Sequence, residues 1–149
     1  MQNDYIKVKA MCIFHHNGKI LASKDFDNVK EQYYFRVLGG SVEFQESYED
    51  AIRREIIEEI GSEIDNLKLI EVIENIFVCL GKKGHEIVFL YAGELKNKKL
   101  HEQEIIPIVE NTYTVNAEWV PIENVFNGDI PLYPPFDYEK IFKELGYIK

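Results

Sequence analysis

Three glutamates at helical spacing are the residues of this sequence best suited to do chemistry. Glu55, Glu58 and Glu59 stand at positions i, i+3 and i+4. At about 100° per residue, this spacing places them on one narrow helix face. Like charges at such positions destabilise a helix, and the helix dipole disfavours anions near its C-terminal end. A divalent cation such as Mg²⁺ removes the conflict because it binds several oxygen ligands. We therefore interpret this face as a metal site, and the alternative is a solvated acidic face.

The residues around these glutamates predict how they are positioned. Glu46 precedes the helix and is predicted to pair with Arg54, since a guanidinium matches a carboxylate with two parallel hydrogen bonds. Gly39 and Gly40 allow close approach of the backbone to a ligand, or a positive φ. The segment therefore predicts a strand, a glycine turn, a loop and a carboxylate-bearing helix.

The central helix is predicted over residues 47–60. Ser47 is a suitable N-cap with Asp50 three residues later, and Gly61 is suited to end the helix. Ile56 and Ile60 lie on another side of the helix and are expected to anchor it to a sheet.

Strands dominate the rest of the chain. Asn17-Gly18 is a hairpin signal, which argues against a purely parallel sheet. Residues 96–116 are expected to be irregular around the short apolar patch IIPIV. The predicted fold is an α/β or α+β arrangement, a mixed sheet covered by helices. Strands are predicted over 5–15, 19–23, 33–38, 67–80, 86–95 and 117–120, and further helices over 121–126 and 138–145.

Composition limits the classes of function. The 149 residues are 46% hydrophobic, 13% aromatic and 29% charged, as expected for one soluble globular domain spanning 1–149. A net charge of −9 argues against nucleic acid as a partner and allows a polyphosphate only if cations mediate the contact. No membrane-length apolar run or signal-peptide core is present, so a cytoplasmic protein is expected. Cys12 and Cys79 are predicted to be buried free thiols.

The segment from Gly39 to Glu63 resembles the Nudix box of the MutT/Nudix hydrolases. That pattern is Gly, five residues, Glu, seven residues, then Arg-Glu-U-x-Glu-Glu-x-Gly-U, where U is a bulky aliphatic residue. Ser62 departs from it at the last position, which is expected to weaken packing without affecting the chemistry, and Ile64 is available to replace the missing contact. The matching residues are Gly40, Glu46, Arg54, Glu55, Ile56, Glu58, Glu59 and Gly61.

The resemblance implies a Nudix-type mixed sheet sandwiched between helices and a hydrolase of small nucleotides. Its reaction would be cleavage of the diphosphate bond in a nucleoside diphosphate linked to another moiety, by water activated by Mg²⁺, with Mn²⁺ as a substitute. Nucleoside triphosphates, oxidised deoxynucleotides, ADP-ribose and other sugar nucleotides all stay open as substrates. A homodimer is a reasonable expectation from the family.

The resemblance also implies roles for the matching residues. Glu58 and Glu59 would ligate the metal, with Glu55 as a further ligand or as the base. The carbonyl of Gly40 would complete the metal shell. Arg54 and Glu46 would orient these groups.

Some members of the family use a further glutamate from outside the box. Glu118, beside Trp119, is the preferred candidate here, and Glu102, Glu104 and Glu110 are alternatives. For any single one of them, a solvated loop carboxylate is the preferred interpretation. His85-Glu86 could bind a metal but is better interpreted as the exit of a turn and the edge of a strand.

Substrate contacts are predicted around the glycine turn. Tyr34, Arg36 and Gly39 are the candidates, because nucleobases stack on aromatic rings, although strand propensity explains the tyrosine equally well. The C-terminal segment could cover a pocket, but packing as a terminal helix is the preferred interpretation.

Two alternatives to catalysis remain at this point. A Nudix-fold module that senses a nucleotide without cleaving it would be silent in a hydrolysis assay. A structural protein with an accidental acidic helix would show no rise in melting temperature with divalent cations.

Overall fold

The computed structural model describes residues 4–110 and 113–149, with the side chains at 109, 110, 113 and 114 excluded from that description. Its elements alternate strands with three short helices and one 3₁₀ turn, Lys98–Glu102. The strands are β1 (Lys7–His16), β2 (Lys19–Asp27), β3 (Gln32–Ser41), β4 (Ile64–Cys79), β5 (Lys82–Leu95), β6 (Ile105–Glu110), β7 (Tyr113–Pro121) and β8 (Leu132–Tyr133). The helices are α1 (Tyr48–Ile60), α2 (Ile122–Phe126) and α3 (Tyr138–Glu144).

These strands form one mixed sheet. Its order is β4-β5-β1-β3-β2-β7-β6, with β8 added beside β3. β1 runs parallel to β5, and β8 runs parallel to β3, whereas the other pairings are antiparallel. The Asn17-Gly18 turn joins β1 to β2, and both of its residues have a positive φ, as a two-residue hairpin turn requires.

Helices cover both faces of the sheet. On one face, Ile52 and Ile56 of α1 pack in an apolar cluster with Phe14 and Leu38. On the opposite face, α2 and α3 contribute to a second cluster, in which Phe142 is fully buried. The predicted arrangement of a mixed sheet between helices is therefore confirmed.

The bounds of α1 follow from local capping. The Ser47 hydroxyl accepts a hydrogen bond from the Asp50 amide at 3.0 Å. Gly61 adopts φ 67° and donates its N–H to the carbonyl of Ile57, so the helix ends where a left-handed residue costs least. Both limits agree with the sequence prediction.

Ser62, which stands where the Nudix pattern has an aliphatic residue, forms hydrogen bonds that an aliphatic side chain could not form. It is buried, donates a hydrogen bond to the carbonyl of Glu63 at 2.8 Å and accepts one from the amide of Asn97 at 3.0 Å. Ile64 is also buried and supplies apolar contact nearby. The residue therefore links the end of α1 to the segment after β5.

The prediction of an irregular stretch over 96–116 was wrong. The patch IIPIV forms most of β6, which pairs with β7 and lies at the edge of the sheet. Pro107 argues against a central strand in sequence, but an edge strand tolerates a residue without an amide hydrogen. β7 is correspondingly longer than the predicted 117–120.

Two smaller expectations can be compared with the structure. Cys12 is buried as predicted, but Cys79 is only partly buried and lines a cavity. Within the described residues, no helix has the length and apolar character needed to cross a membrane.

Candidate active site

Arg54 is the centre of a hydrogen-bonded clamp between α1 and the preceding loop. Its Nε donates to Glu46 Oε2 at 2.7 Å and its Nη2 to Glu46 Oε1 at 2.9 Å, the bidentate pairing expected from the sequence. Nη2 also donates to the carbonyl of Ser41 at 3.0 Å, which ties the helix to the end of β3. The hydrogen bonds lower the pKa of Glu46 and raise that of Arg54, so both groups stay charged.

The same guanidinium contacts two of the three glutamates on the acidic face of α1. Nη1 donates to Glu55 Oε1 at 3.1 Å and to Glu58 Oε2 at 3.2 Å. One cation therefore offsets the repulsion between these carboxylates and sets the direction of each.

The three glutamates face one cavity of about 390 Å³, which we call the carboxylate cavity. Glu59 is 8% exposed, whereas the side chain of Glu58 is 58% exposed, so one carboxylate lies deep and the other at the rim. Gly39, Gly40 and Arg54 complete this part of the wall.

The predicted glycine turn was wrong: Gly39 and Gly40 lie within β3 and pair with β1, and each is required by a different neighbour. A Cβ on Gly40 would lie 2.3 Å from the carboxyl carbon of Glu55, so the carboxylate occupies the space that a side chain would fill. Gly39 has φ 149°, and a Cβ there would lie 2.1 Å from the carbonyl oxygen of Ala10 in β1. The absence of a side chain at Gly40 thus leaves space for the Glu55 carboxylate, and its absence at Gly39 leaves space for the backbone of β1.

The carboxylate cavity fits a divalent cation in the type of its donors. Carboxylates and a nearby backbone carbonyl are the ligands that Mg²⁺ prefers. Among the side chains that the structure describes, however, no three from His, Cys, Asp or Glu converge closely enough to hold a metal ion. Arg54 gives a physical reason, because it holds Glu55 and Glu58 in directions that satisfy its own donors. Coordination by all three glutamates therefore requires side-chain rotation, for which Glu58 at the rim is more exposed than Glu55.

A second cavity, mostly apolar and of about 280 Å³, adjoins the first; we call it the aromatic cavity. The rings of Tyr34 and Tyr133 meet edge to face with centroids 5.8 Å apart, and Phe77 lines another part of the wall. Burial and the neighbouring Asp25, which accepts a hydrogen bond from the Tyr34 hydroxyl at 3.3 Å, raise the pKa of Tyr34 to about 12.

One part of the C-terminal segment lines a pocket and another part packs as a terminal helix, so each of the two interpretations describes part of it. Tyr133, Pro134 and Pro135 line the aromatic cavity, so the loop does cover a pocket. Tyr138 and Phe142 of α3 are buried in the apolar cluster, so the helix packs as a terminal helix.

A third cavity, of about 600 Å³, is surrounded by basic side chains, and we call it the lysine cavity. Arg36 and Glu86 line all three cavities. Glu86 is 7% exposed, and its Oε1 accepts a hydrogen bond from Nδ2 of the Asn75 side chain at 3.4 Å. The basic residues of this wall are Lys7, Lys9, Arg36, Lys82, Lys83 and His85.

The structure places the predicted substrate residues in two of these cavities. Arg36 lines both the aromatic and the carboxylate cavity, Tyr34 lines the aromatic one and Gly39 the carboxylate one. Strand β3, which carries all three residues, therefore joins the two cavities.

Of the glutamates proposed outside the box, Glu118, Glu102 and Glu104 do not line the carboxylate cavity. Glu118 lies on β7, and its carboxylate is 3.5 Å from the ammonium group of Lys24. Glu102 lines a separate cavity beside His16 and His101, and Glu104 is exposed. The side chain of Glu110 lies outside the described part of the structure.

Glu86 is a buried carboxylate of the site that the sequence analysis did not select. Strand pairing places it opposite Lys7 of β1 and Asn75 of β4, and it lines the carboxylate cavity together with Lys9. Its position at the start of an apolar strand suggested a strand edge, and only the pairing of β1 with β5 brings it to the site.

Comparison with known proteins agrees with this fold. The family model of the NUDIX domain matches residues 6–142. A MutT NUDIX hydrolase from Burkholderia pseudomallei is similar with a TM-score of 0.63 at 20% identity, over 95% of this chain and 98% of that one. A NUDIX hydrolase from Nitrosomonas europaea gives 0.64 at 17% identity, over 95% and 90% of the two chains. The mutator MutT protein from Bacillus halodurans gives 0.60 at 18% identity, over 94% and 82%.

Proposed function

This chain belongs to the NUDIX family, and from that premise we propose that it hydrolyses the diphosphate bond of a nucleoside diphosphate linked to another moiety, with Mg²⁺ as cofactor. Mn²⁺ would substitute, and the substrate is a small molecule. The observation that carries the proposal is the junction of two cavities at Arg36, one lined by carboxylates and the other by aromatic rings. A nucleotide has the matching parts, a charged diphosphate and a base that stacks.

The carboxylate cavity would hold the cation. Glu58 and Glu59 are the proposed ligands, with Glu55 and the Gly40 carbonyl as further donors. When bound, the divalent cation supplies neutralisation of the phosphate charge and a lowered pKa of the attacking water.

The residues of the chain itself provide positioning. Arg54 holds Glu46 through two hydrogen bonds and Glu55 and Glu58 through its third nitrogen, so the loop and the helix keep a fixed relation. Glu55 can accept a proton from water, and its side chain, only 17% exposed, is shielded from bulk solvent.

Arg36 and Tyr34 would bind the two ends of the nucleotide. Arg36 reaches the carboxylate cavity, where a guanidinium can hydrogen-bond a phosphate oxygen. The ring of Tyr34 lines the aromatic cavity and offers a stacking surface for the base, with Tyr133 edge-on beside it.

The decisive experiment is a substrate panel with identified products. Nucleoside triphosphates, oxidised deoxynucleotides, ADP-ribose and other sugar nucleotides are incubated with Mg²⁺, with Mn²⁺ and with EDTA. Metal-dependent release of a nucleoside monophosphate or of pyrophosphate is expected, and the products locate the cleaved bond. Nucleotide binding with no hydrolysis under any metal would contradict the proposal and favour a sensor module.

A matched pair of variants on α1 distinguishes a role of Glu58 in the reaction from the general effect of removing one negative charge from the helix. Glu58→Gln should lower the rate by about 10²–10⁴ with little change in stability. Glu49→Gln, a control on the same helix with a similarly exposed side chain, removes the same charge outside the cavity and should leave turnover unchanged. Equal rates for both variants would remove Glu58 from the mechanism.

A further inference from the structure

The lysine cavity is lined by positive charge, whereas the chain as a whole is negatively charged. Four lysines and Arg36 line it, so five of the 17 Lys and Arg residues surround one cavity in a chain of net charge −9. Glu86 is the only carboxylate on that wall within the described residues, so the local charge is positive.

Strand β1 connects this cavity to the other two. Lys7, Lys9 and Met11 alternate along the strand, which places them on one face of the sheet. Lys7 and Lys9 line the lysine cavity, Lys9 and Met11 the carboxylate cavity, and Met11 the aromatic cavity. Four residues of strand span about 13 Å, so a single extended ligand can reach all three cavities.

The cations of this wall raise one another's electrostatic energy. Burial lowers the pKa of Lys9, the Glu86 carboxylate opposes that effect, and Arg36 and Lys7 lower the pKa further. An anion bound between these groups would relieve the repulsion, as phosphates do among clustered lysines and arginines.

We propose that the lysine cavity binds a second anionic group of the substrate, beyond the diphosphate held in the carboxylate cavity. The moiety linked to the nucleoside diphosphate is then itself anionic, carrying a phosphate or a carboxylate. This inference rests on the proposed function for the identity of the ligand, but the anion site can be tested without catalysis. Two sources share the chemistry: a further phosphate in the chain of a nucleoside triphosphate, and an acidic group on a linked sugar.

The direct test uses inorganic pyrophosphate in EDTA, where a cation-dependent site cannot contribute. Titration calorimetry is performed on the wild-type protein and on the double variant Lys7→Gln/Lys82→Gln. The variant should bind at least about tenfold more weakly, as expected for the loss of charge-assisted hydrogen bonds. The control Lys99→Gln/Lys140→Gln removes the same charge at two exposed lysines outside the three cavities and should bind like wild type.

Kinetic comparison distinguishes the two sources of the anion. In the presence of Mg²⁺, kcat/KM is measured for ATP against ADP and for UDP-glucuronate against UDP-glucose. In the lysine variant, a fall of about tenfold or more in the ATP/ADP ratio, caused by a higher KM for ATP, identifies a further phosphate as the anion. The same fall in the UDP-glucuronate/UDP-glucose ratio identifies an acidic group on the sugar. A fall in both ratios supports a site for either anion.

The two proposals fail in different ways. Pyrophosphate binding that depends on the lysines, without hydrolysis of any nucleotide, would contradict the proposed function and support the anion site. Hydrolysis with no lysine-dependent binding of pyrophosphate would overturn the anion site alone. Equal weakening in the lysine variant and in its control would also overturn it, because the effect would then be one of net charge.

Discussion

Adding one methyl group at Gly39 or at Gly40 of β3 should show which glycine the fold requires and which one the chemistry requires. Gly39→Ala places a Cβ 2.1 Å from a backbone oxygen of β1 and 2.7 Å from the Cα of Met11, in the middle of the sheet. Gly40→Ala places a Cβ against the end of the Glu55 side chain, which can rotate into the carboxylate cavity. We expect the first variant to lose stability and the second to lose activity.

The expected losses of stability differ because the added methyl group displaces backbone atoms at Gly39 but only a side chain at Gly40. At Gly39, overpacking against backbone costs about 1–3 kcal/mol and the positive φ costs about 1–3 kcal/mol more. A total of about 3–4 kcal/mol lowers the Tm by roughly 10 °C in a chain of this size. At Gly40, displacement of a side chain is offset by the smaller entropy of the unfolded chain, about 0.4–1 kcal/mol for glycine to alanine. The Tm of Gly40→Ala should therefore stay within about 3 °C of wild type.

The activity of Gly40→Ala should nevertheless fall about 10²-fold, the loss expected when a reacting group moves by an ångström. Thermal unfolding by circular dichroism and hydrolysis of the best substrate with Mg²⁺ are measured on both variants. A Tm for Gly40→Ala as low as that of Gly39→Ala would refute the reasoning. Full activity of Gly40→Ala would show that the Glu55 carboxylate does not need its present position.

Three further predictions concern the groups around α1. Arg54→Lys loses the bidentate pairing, so kcat should fall at least about tenfold, and a wild-type rate would show that orientation is unnecessary. The lowered pKa of Glu46 means that its pairing with Arg54 contributes stability fully above about pH 4.3 and loses it as the pH falls through that lowered pKa. Urea unfolding should therefore show Glu46→Gln less stable than wild type at pH 7, with a smaller difference at pH 3; a constant difference would contradict the pairing. Ser62→Val restores the aliphatic residue of the Nudix pattern but leaves the Asn97 amide unpaired, so unfolding should cost about 1–3 kcal/mol less than in wild type; greater stability would contradict this account.

The part of the site that could be predicted from the sequence is the part built from neighbours in the chain. The helix limits at Ser47 and Gly61 depend on local capping, and the pairing of Glu46 with Arg54 depends on a short loop. Such features require only spacing and residue type. The mixed sheet also followed from local signals, because the Asn17-Gly18 hairpin excludes an all-parallel arrangement.

Contacts set by strand pairing could not be predicted in the same way. Glu86 and Lys7 are 79 positions apart and become neighbours only because β1 pairs parallel with β5. No periodicity within either strand encodes that choice. The preference for Glu118 arose because its place beside Trp119 resembles the family, whereas the structure pairs it with Lys24 on the neighbouring strand. Similarly, β6 contains Pro107 and is compatible with a strand only at the edge of the sheet, and a single sequence does not show which strand will lie there.

The geometry of Arg54 implies that cation binding and the clamp are coupled. Its Nη1 hydrogen-bonds both Glu55 and Glu58, two of the carboxylates proposed to hold the divalent cation. A bound cation must therefore compete with the guanidinium for these carboxylates, whereas the two bonds to Glu46 stay available to Arg54. If so, Arg54→Lys should bind Mn²⁺ at least as tightly as wild type while turning over substrate more slowly, since the lost donors orient the carboxylates and do not hold the metal. Mn²⁺ affinity is measured by electron paramagnetic resonance in the absence of nucleotide. Weaker Mn²⁺ binding in Arg54→Lys would show that the clamp assembles the metal site and does not compete with it.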